Sequence, residues 1–234
     1  MTWVDVTIAE VVQETPVDRS FVLAVPAAHR ADFRFAPGQY VQLRDPADAE
    51  ARDWYFSLSA APNEEGTLRV TIRGRGEPVQ RIYAAQPGTR WHALEPAGSF
   101  RLEASAGERV VLAGAGSGVT PFRAFVEHRS MRGSEDAVWL LHSARAAEEL
   151  LFRREFLAWS DAIDVFTYVP TVTTASDAWN GRRGRVDTDL LREALGDPQR
   201  ARIYACGPPR FVSTVLAKAA ALGVPEERCL DERH

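Results

Sequence analysis

The chain has 234 residues, of which 45% are hydrophobic and 26% charged, and these proportions are typical of a folded globular protein. This length suits two domains of about 100–130 residues, each large enough to bury its own core. The net charge of −4 and the pI of about 5.8 give no electrostatic basis for binding nucleic acid or an anionic membrane, so a protein or small-molecule partner is expected.

The chain contains no run of eighteen apolar residues, and its N-terminus lacks the pattern of a signal peptide. We therefore expect a cytoplasmic protein that does not associate with membranes. Cys206 and Cys229 are the two cysteines, too few for a disulfide framework or for the four thiolates of a plant-type iron–sulfur cluster. The histidines show no metal-ligand spacing, so no metal site is predicted.

Residues 1–103 consist of short β-type runs separated by proline and glycine turns. This texture is typical of an antiparallel barrel or sandwich. The runs are VDVTIAEVV, FVLAVP, QYVQLRD, WYFSLSA and LRVTIRG. They predict an all-β first domain, with the barrel as its form.

From about residue 104 the pattern changes to strands that alternate with helices, which predicts a parallel sheet covered by helices on both faces. The predicted strands include RVVLAGAG, AVWLLHS, DVFTYVP and RIYACG, and the predicted helices include FRAFVEHRSMRG, AAEELLFRREFLAWS, TDLLREAL and FVSTVLAKAAALG. The domain boundary is predicted between residues 103 and 104, so that residues 104–234 form an α/β domain.

A glycine-rich turn follows the first predicted strand of the second half. In VVLAGAGSGVTPF, Gly114, Gly116 and Gly118 separate a buried strand from a helix. Glycines at these positions let the backbone approach a diphosphate, whose charge meets the free N–H groups of the helix N-terminus. The alternative is a turn that needs glycine only for its positive φ.

Two later strands end in residues suited to the same ligand. Ser143 and Arg145 follow one strand, where a hydroxyl and a planar guanidinium suit a ribose 2′-phosphate. The alternative is a helix N-cap beside a solvated arginine. Cys206, Gly207 and Pro208 end another strand. A thiol there would face the same crevice, although a lone cysteine is more often a small core residue.

The order of these motifs resembles the ferredoxin–NADP reductase superfamily over almost the whole chain. The second half carries GAGSGVTP, SAR with EELLFRREF, WNGRRGRVD and CGPP. The first half carries APGQYVQL and WYFSLSA, where the family has its PGQ turn and its arginine-x-tyrosine-serine signature. The resemblance implies a flavin-binding barrel, an NAD(P)-binding domain, and hydride transfer from C4 of the nicotinamide to N5 of the flavin.

The resemblance also implies roles for individual residues. Ser57 would donate to flavin N5, Cys206 would pack beside the nicotinamide, and Glu232 would assist proton movement, so these three are the expected catalytic residues. His234 would either stack on the flavin or be a frayed terminal residue without a role. The expected cofactor-binding residues are Arg52, Trp54, Tyr55, Phe56, Ser57, Arg73, Gly76, Val79, Gly114, Gly116, Ser117, Gly118, Thr120, Pro121, Ser143, Arg145, Cys206, Gly207, Pro208 and His234.

The barrel departs from the family pattern in three places. Trp54 replaces the signature arginine, and Arg52, on the same strand face, is either a flavin phosphate ligand or a surface residue. Val79 offers no hydroxyl in the phosphate loop that begins at Gly76, and Glu95 replaces a glycine. Flavin binding would then be weak, limited to the isoalloxazine and ribityl groups, or dependent on other backbone donors. FAD is the expected cofactor and FMN the alternative.

The expected 2′-phosphate contacts favour NADPH over NADH as the electron donor. An arginine that the family often places after the TYVPT strand is replaced by Thr173 and Thr174. The phosphate contact of that arginine would have to come from Arg182, Arg183 or Arg185.

Two functions are compatible with the sequence. In the first, the protein passes electrons from NADPH or NADH through a flavin to an electron-transfer protein, an oxygenase component or free flavin. In the second, it is a degenerate relative that serves as a binding or regulatory subunit or performs non-redox chemistry. The intact glycine turn and CGPP favour the first, whereas Trp54, Val79 and Glu95 favour the second. We expect the first.

Overall fold

The computed structural model describes residues 2–47, 53–74, 77–103, 107–133 and 135–233. The strands are β1 Val4–Gln13, β2 Asp18–Ala24, β3 Tyr40–Arg44, β4 Trp54–Ser57, β5 Thr67–Arg73, β6 Arg90–Ala93, β7 Arg109–Ala115, β8 Val138–Ala144, β9 Phe166–Val172, β10 Arg182–Arg183, β11 Ala201–Gly207 and β12 Cys229–Arg233. The helices are α1 Glu77–Tyr83, α2 Thr120–Met131, α3 Arg153–Ala162, α4 Thr188–Leu195 and α5 Pro209–Ala221.

The first six strands form an antiparallel sheet in the order β4-β3-β6-β1-β2-β5. A bridge between Leu58 and Val70 brings the end of edge strand β4 against edge strand β5. The Ser59 N–H also donates to the Arg69 carbonyl at 2.8 Å. The sheet therefore curls into a barrel, because its two edges meet.

Alternate residues of the barrel strands point into its core. Val6 and Ile8 in β1, with Phe21 and Leu23 in β2, are at most 1% exposed. The Phe21 ring centroid lies 5.3 Å from that of Trp91 in β6. Burial of one such side chain stabilises the fold by about 1.5–3 kcal/mol. The two-residue alternation in the sequence is the signature of this one-sided burial.

The last six strands form a parallel sheet in the order β10-β9-β8-β7-β11-β12. Its two faces are covered by different helices: α2 and α3 pack on the face that includes Leu112, and α4 and α5 pack on the face that includes Val111. Successive residues of β7 are therefore both buried, which explains why the strand is apolar throughout. The predicted fold class, an antiparallel barrel followed by a parallel α/β domain, is confirmed.

The order in which the chain adds strands to the parallel sheet reverses between β7 and β11. From β7 the chain moves outward through β8 to β10, and it then returns to β11 on the opposite side of β7. The carboxyl ends of these neighbouring strands diverge into a crevice at such a point, and ligands bind there.

The predicted domain boundary, between residues 103 and 104, adjoins residues 104–106, which lie outside the described part of the chain, and it stays a prediction. Upstream of it, Phe100 and Leu102 already pack in the core of the α/β half. The Glu103 N–H and carbonyl also bond the Tyr204 hydroxyl, at 3.0 and 2.8 Å. The segment after β6 is thus attached to the second sheet before β7 begins.

The helix predicted over AAEELLFRREFLAWS begins later than expected. A short 3₁₀ turn at Ala147–Glu149 comes first, and α3 starts only at Arg153. Phe152, at the N-cap of α3, has a left-handed φ of 59°, which interrupts a continuous helix. The spacing of Leu150 and Leu151 predicted a helix, but these two side chains are buried from a segment that precedes α3.

No helix in the part of the chain that the structure describes is long and apolar enough to span a lipid bilayer.

Candidate active site

A cavity of about 590 Å³ opens at the carboxyl edge of the parallel sheet, where the strand order reverses. It lies among the ends of β7, β8 and β11 and the start of α5. Its lining residues are Arg73, Ala115, Gly116, Ser143, Ala144, Arg145, Glu149, Thr173, Arg185, Val186, Pro208, Arg210, Phe211, Ser213, Thr214, Val215 and Lys218. The volume is within the range of small-molecule and cofactor sites.

The turn between β7 and α2 is packed closely against β11. A side chain at Gly118 would place its Cβ 2.3 Å from the Cys206 carbonyl oxygen, and one at Gly207 would lie 2.8 Å from the Ala115 carbonyl oxygen. Only glycine fits at these two close contacts. The two glycines are therefore required by packing and not only by a positive φ. The predicted role of the turn in holding a diphosphate is compatible with this close backbone approach.

Helix α2 begins directly at this turn with Thr120 and Pro121. The Thr120 hydroxyl donates to the Ser117 carbonyl at 2.8 Å and so fixes the last part of the turn. The first N–H groups of the twelve-residue helix have no partner within the helix, and the helix dipole makes this end attractive to an anion.

The cavity is strongly basic. Arg73, Arg145, Arg185, Arg210 and Lys218 lie in its wall, and Glu149 is the one carboxylate among the lining residues that the structure describes. Such a concentration of positive charge suits a ligand with several phosphate groups.

Two of the basic residues approach the single carboxylate from opposite halves of the molecule. Arg145 Nη2 lies 3.4 Å from Glu149 Oε1, and Arg73 Nη1 of the barrel lies 4.0 Å from Glu149 Oε2. Arg73 is itself held by a bidentate pair with buried Asp18, at 2.8 and 3.1 Å. The hydrogen bond that Arg73 donates to Asp18 raises the pKa of Arg73 despite its partial burial.

The candidates for the missing family arginine are separated by the structure. Arg185 lines the cavity together with Thr173. Arg182 pairs with Glu193 at 2.6 Å. Arg183 donates to the backbone carbonyls of Ser176 and Trp179.

Arg210 and Lys218 were not among the residues expected to bind a cofactor. They lie in α5, where no short motif marks a helix residue as a ligand. The Lys218 ammonium donates to the Val186 carbonyl at 2.7 Å, which holds it at the rim of the cavity. The nearest signal in the sequence was the position of α5 directly after CGPP.

Ser143 is 8% exposed and lies within β8 rather than at a helix N-cap. The 3₁₀ turn that follows has Ala146 as its N-cap residue, so the N-cap interpretation of this serine is wrong. Arg145 is 67% exposed in its side chain and remains available to a ligand in the cavity.

The three expected catalytic residues meet between the two halves. Ser57 at the end of β4 donates to Glu232 Oε2 at 3.4 Å, and the Cys206 thiol lies 4.0 Å from the same oxygen. Cys206 and Glu232 are register partners in β11 and β12. These residues are far apart in the chain, and the fold brings all three together.

Burial raises the pKa of the Glu232 carboxyl, although the hydrogen bond from Ser57 opposes the change. Burial also raises the pKa of the Cys206 thiol, and the charges of Glu232 and Asp231 add to the effect. The thiol is therefore neutral at physiological pH. The arrangement can orient a ligand and exchange a proton, but it contains no activated thiolate nucleophile.

The residues of strand β4 alternate between the barrel core and the face that carries Ser57. Trp54 and Phe56 are half-buried and pack against the barrel core, as does Val79 of α1. Tyr55 is 59% exposed, and its ring makes an edge-on contact with Tyr40 at 5.6 Å. The exposed Tyr55 ring shares a strand face with the Ser57 hydroxyl, and with the neutral thiol and the carboxyl group of the cluster this face suits a flat heterocycle with polar edges. The isoalloxazine ring of a flavin has this character.

The phosphate end of a flavin finds fewer partners in the described part of this region. Val79 has no hydroxyl, and the nearby arginines already have carboxylate partners: Arg44 lies 2.6 Å from Asp53, and Arg81 lies 3.1 Å from Asp45. The predictions for Arg52, Gly76 and His234 lie outside the described residues.

Residues 112–216 match the oxidoreductase NAD-binding domain family. A ferredoxin–NADP reductase B of Sorangium cellulosum (strain So ce56) is 31% identical over 217 residues, covering 88% of both chains. The electron transfer component of an anthranilate 1,2-dioxygenase from Acinetobacter baylyi is 28% identical over 90% of this chain. A ferredoxin reductase component of 3-ketosteroid-9-alpha-monooxygenase from Rhodococcus rhodochrous is 28% identical over 95% of this chain. The chain spans 60% and 62% of those two oxygenase components.

Solved structures share the whole fold. The FAD/NAD-binding domain of a Vibrio cholerae nitric oxide dioxygenase superposes with a TM-score of 0.85 at 23% identity, covering 99% of this chain and 98% of that one. A ferredoxin NADP+ reductase from Neisseria gonorrhoeae, solved with bound FAD and NADP, superposes with a TM-score of 0.83 at 23% identity, covering 100% and 99%. With the reductase of Sorangium cellulosum matched along most of both chains, the present chain belongs to the ferredoxin–NADP reductase superfamily of FAD- and NAD(P)-binding oxidoreductases.

Proposed function

We propose that the protein oxidises NADPH, and NADH less well, with an FAD held against β4, and delivers the electrons to a ferredoxin or to an oxygenase component. The observation that carries this proposal is the meeting of Ser57, Cys206 and Glu232 between the halves. Cys206 of this cluster lies two residues before Pro208, which lines the basic cavity. A nicotinamide and a flavin could therefore be brought face to face by residues from both halves.

When bound, the flavin supplies a two-electron acceptor for a hydride from C4 of the reduced nicotinamide, which leaves the nicotinamide oxidised. The protein supplies geometry and protons. Ser57 would donate a hydrogen bond at the flavin N5 edge. The neutral Cys206 thiol would limit the space beside the nicotinamide, and the Glu232 carboxyl, whose pKa is raised by burial, would exchange a proton near Ser57.

The dinucleotide is proposed to bind in the basic cavity. Its diphosphate would lie at the turn that includes Gly116 and Ser117, near the N-terminus of α2. Its 2′-phosphate would contact Ser143 and Arg145, with Arg185, Arg210 and Lys218 adding positive charge. Of the two dinucleotides, only NADPH carries a 2′-phosphate on its ribose, so only NADPH gains contacts between this phosphate and the cations. NADPH is therefore the proposed donor.

FAD is the proposed flavin and FMN the alternative, with the isoalloxazine ring as the best-held part. Trp54 and Val79 provide packing where the family has charged and hydroxyl groups, so the flavin is expected to dissociate more easily than in relatives that keep those groups. The non-redox alternative receives no support from the family membership. The residues that favoured this alternative, Trp54, Val79 and Glu95, instead affect how tightly the flavin is bound.

The names of the relatives support a protein acceptor. One is a ferredoxin–NADP reductase, one is the electron transfer component of a dioxygenase, and one is the ferredoxin reductase component of a monooxygenase. Free flavin is the second candidate acceptor, and the small number of phosphate partners among the described barrel residues favours it, because an exchangeable flavin can act as a substrate.

Steady-state oxidation of NADPH and NADH, with added FAD and with ferricyanide as a general acceptor, tests the donor assignment. The change Arg145→Ala is expected to raise the KM for NADPH by roughly 10-fold or more, because a charge-assisted phosphate contact is lost. The KM for NADH should stay within about twofold, since NADH lacks that phosphate.

Arg182→Ala is the matched control, because Arg182 is also exposed but pairs with Glu193 outside the cavity. Equal effects of Arg145→Ala on both dinucleotides would refute the 2′-phosphate assignment. Failure of the wild-type protein to oxidise either dinucleotide would refute the proposed function itself.

A further inference from the structure

Arg123 is an arginine buried where the barrel meets the α/β half. It lies in the first turns of α2 and is only 3% exposed. It does not line the dinucleotide cavity, and no part of the proposed mechanism uses it. A fully buried guanidinium away from the ligand sites requires a set of compensating partners.

The partners of Arg123 belong to both halves. Its Nη1 donates to the Ser59 carbonyl of the barrel at 2.6 Å. Its Nε and Nη2 make a bidentate pair with Glu155 of α3, at 2.9 and 2.8 Å. Glu127, one turn further along α2, accepts from both terminal nitrogens at 3.2 and 3.3 Å. Burial alone would lower the pKa of Arg123, and the two carboxylates reverse that effect.

The two carboxylates extend the connection to further barrel atoms. Glu127 Oε2 accepts from the Ala61 N–H at 2.6 Å. Glu155 Oε1 lies 3.8 Å from Arg69 Nη1 of β5, and Arg69 also pairs with Glu14 of the barrel. The network therefore crosses the boundary between the halves at three points.

Phe152 lies at the centre of this network in a conformation that is uncommon for a bulky residue. Its φ is 59° and its side chain is 4% exposed. The guanidinium carbons of Arg123 and of Arg69 each lie 5.4 Å from its ring centre. A left-handed bulky residue persists only where the surroundings determine it strongly. Here those surroundings come from both halves.

The network is joined directly to the two ligand sites. Ser59 lies two residues after Ser57, whose hydroxyl faces Glu232. On the other side, Arg123 follows the glycine turn by one helical turn, and Gly118 of that turn packs on the Cys206 carbonyl. A single guanidinium thus connects the segment directly after β4, the strand that carries the Ser57 hydroxyl, to the helix that begins at the dinucleotide turn.

We propose that Arg123 is a positioning residue that sets the distance and angle between the dinucleotide site and the flavin site. This inference rests on the proposed function, because it concerns the approach of nicotinamide to flavin. Reaction rates fall steeply when two reacting groups are misplaced by about 1 Å. Buried ion pairs add little net stability compared with apolar packing, so a network of this size at the boundary indicates a need for defined geometry.

The test compares Arg123→Gln and Arg123→Lys with a matched control, Arg129→Gln. Arg129 lies in the same helix, pairs with Asp136 at 2.7 Å and packs on the Phe125 ring at 5.5 Å. These partners all belong to the α/β half. The first measurement is the single-turnover rate constant of flavin reduction by NADPH without oxygen, at saturating FAD. The second is the NADPH concentration dependence of that rate constant.

Arg123→Gln is expected to lower the limiting rate constant by roughly 10- to 100-fold, with the half-saturating NADPH concentration changed by less than about threefold. Arg123→Lys should recover part of the rate, since an ammonium can still reach the Ser59 carbonyl or one carboxylate. Arg129→Gln should react within about twofold of wild type. Equal rates for Arg123→Gln and wild type, or equal losses in Arg129→Gln, would overturn the proposal.

Hydrogen–deuterium exchange of the segment that contains the Ala61 N–H gives a readout that needs no cofactor. Exchange there should accelerate in Arg123→Gln and remain unchanged in Arg129→Gln, because the Glu127 contact loses its support only in the first. A slow Arg123→Gln enzyme with unchanged Ala61 exchange would contradict the positioning role. If wild type shows no reduction by either dinucleotide, the proposed function fails, while the exchange result still decides whether Arg123 joins the halves.

Discussion

Glu232 occupies a half-buried position where a carboxyl group can keep its proton unusually well. Burial raises its pKa against the opposing hydrogen bond from Ser57. The group is neutral below this raised pKa and ionised above it. Only the neutral carboxyl can donate a hydrogen bond. When Glu232 is neutral, the Ser57 hydroxyl is free to donate to a ligand instead of to a carboxylate.

The rate constant of flavin reduction is therefore expected to fall as the pH rises through the pKa of Glu232, by up to about tenfold per pH unit. Glu232→Gln keeps a neutral donor at this position and should show a flat profile over the same interval. The measurement is single-turnover reduction from pH 5 to 9 at constant ionic strength.

Glu227→Gln, at an exposed position shortly before β12, is the control and should keep the wild-type profile. A Glu232→Gln enzyme that retains the wild-type pH dependence would show that another group titrates.

At the residue scale, the sequence identified the site only where a motif or a resemblance marked it. Ser57, Cys206 and Glu232 were expected from the resemblance, and the structure brings them together. Arg210 and Lys218 were missed, because which residues of a helix face a cavity depends on how the helix packs. Arg123 was missed for a similar reason, since two of its partners, Ser59 and Glu155, lie in segments that are distant in the chain.

At the scale of elements, the contact between the β7–α2 turn and β11 is the tightest feature of the dinucleotide site. Gly118→Ala would place a methyl group 2.3 Å from the Cys206 carbonyl oxygen. Because that oxygen belongs to a central strand, the turn has to move. We expect a loss of about 1–3 kcal/mol of stability and clearly weaker binding of 2′,5′-ADP.

Urea unfolding and calorimetric titration with 2′,5′-ADP measure these two effects. Ser117→Ala is the control for stability, because Ser117 is exposed in the same turn and the change adds no atoms. Wild-type stability and affinity in Gly118→Ala would mean that the turn is looser than the structure indicates.

The elements themselves were largely predictable from the spacing of apolar residues. Alternation in β1 and continuous apolar runs in β7 follow from burial on one face or on two. The start of α3 could not be predicted, because it follows the left-handed Phe152, whose ring contacts Arg69 and Arg123 from distant parts of the chain. Local propensity carries no information about such a tertiary contact.

At the scale of the whole molecule, the ion pairs between the halves also predict how stability depends on pH. Burial raises the pKa of Glu155. The hydrogen bonds and charge of Arg123, together with the charge of Arg69, lower this pKa by more than burial raises it, so the net shift is downward from the usual 4.5. A carboxyl whose folded-state pKa is depressed adds stability above its unfolded-state pKa. That stability is lost as the pH falls through the folded-state value.

Between about pH 5 and pH 3, the urea midpoint of the wild type is therefore expected to fall more steeply than that of Glu155→Gln. Glu193→Gln is the control, because its partner Arg182 is exposed and both lie on the surface of the α/β half. An identical pH dependence in wild type and Glu155→Gln would show that the Arg123 network does not contribute to acid stability.

The two-domain architecture was evident from the change of texture near residue 104, whereas the way the halves are joined was not. Composition and periodicity describe each half separately. The contacts of Phe100 with Tyr204 and of Arg123 with Ser59 depend on the relative placement of the halves. That placement is what turns two binding domains into a candidate site for hydride transfer.

The visible spectrum of the purified protein, recorded before and after anaerobic addition of NADPH and then NADH, tests the central claim most directly. The released cofactor is identified by mass, and the experiment is repeated after incubation with FAD. We predict flavin absorption, retained or restored by FAD, that is bleached faster by NADPH than by NADH. A protein that binds neither FAD nor FMN, and that oxidises neither dinucleotide in their presence, would contradict the assignment as a flavin-dependent reductase.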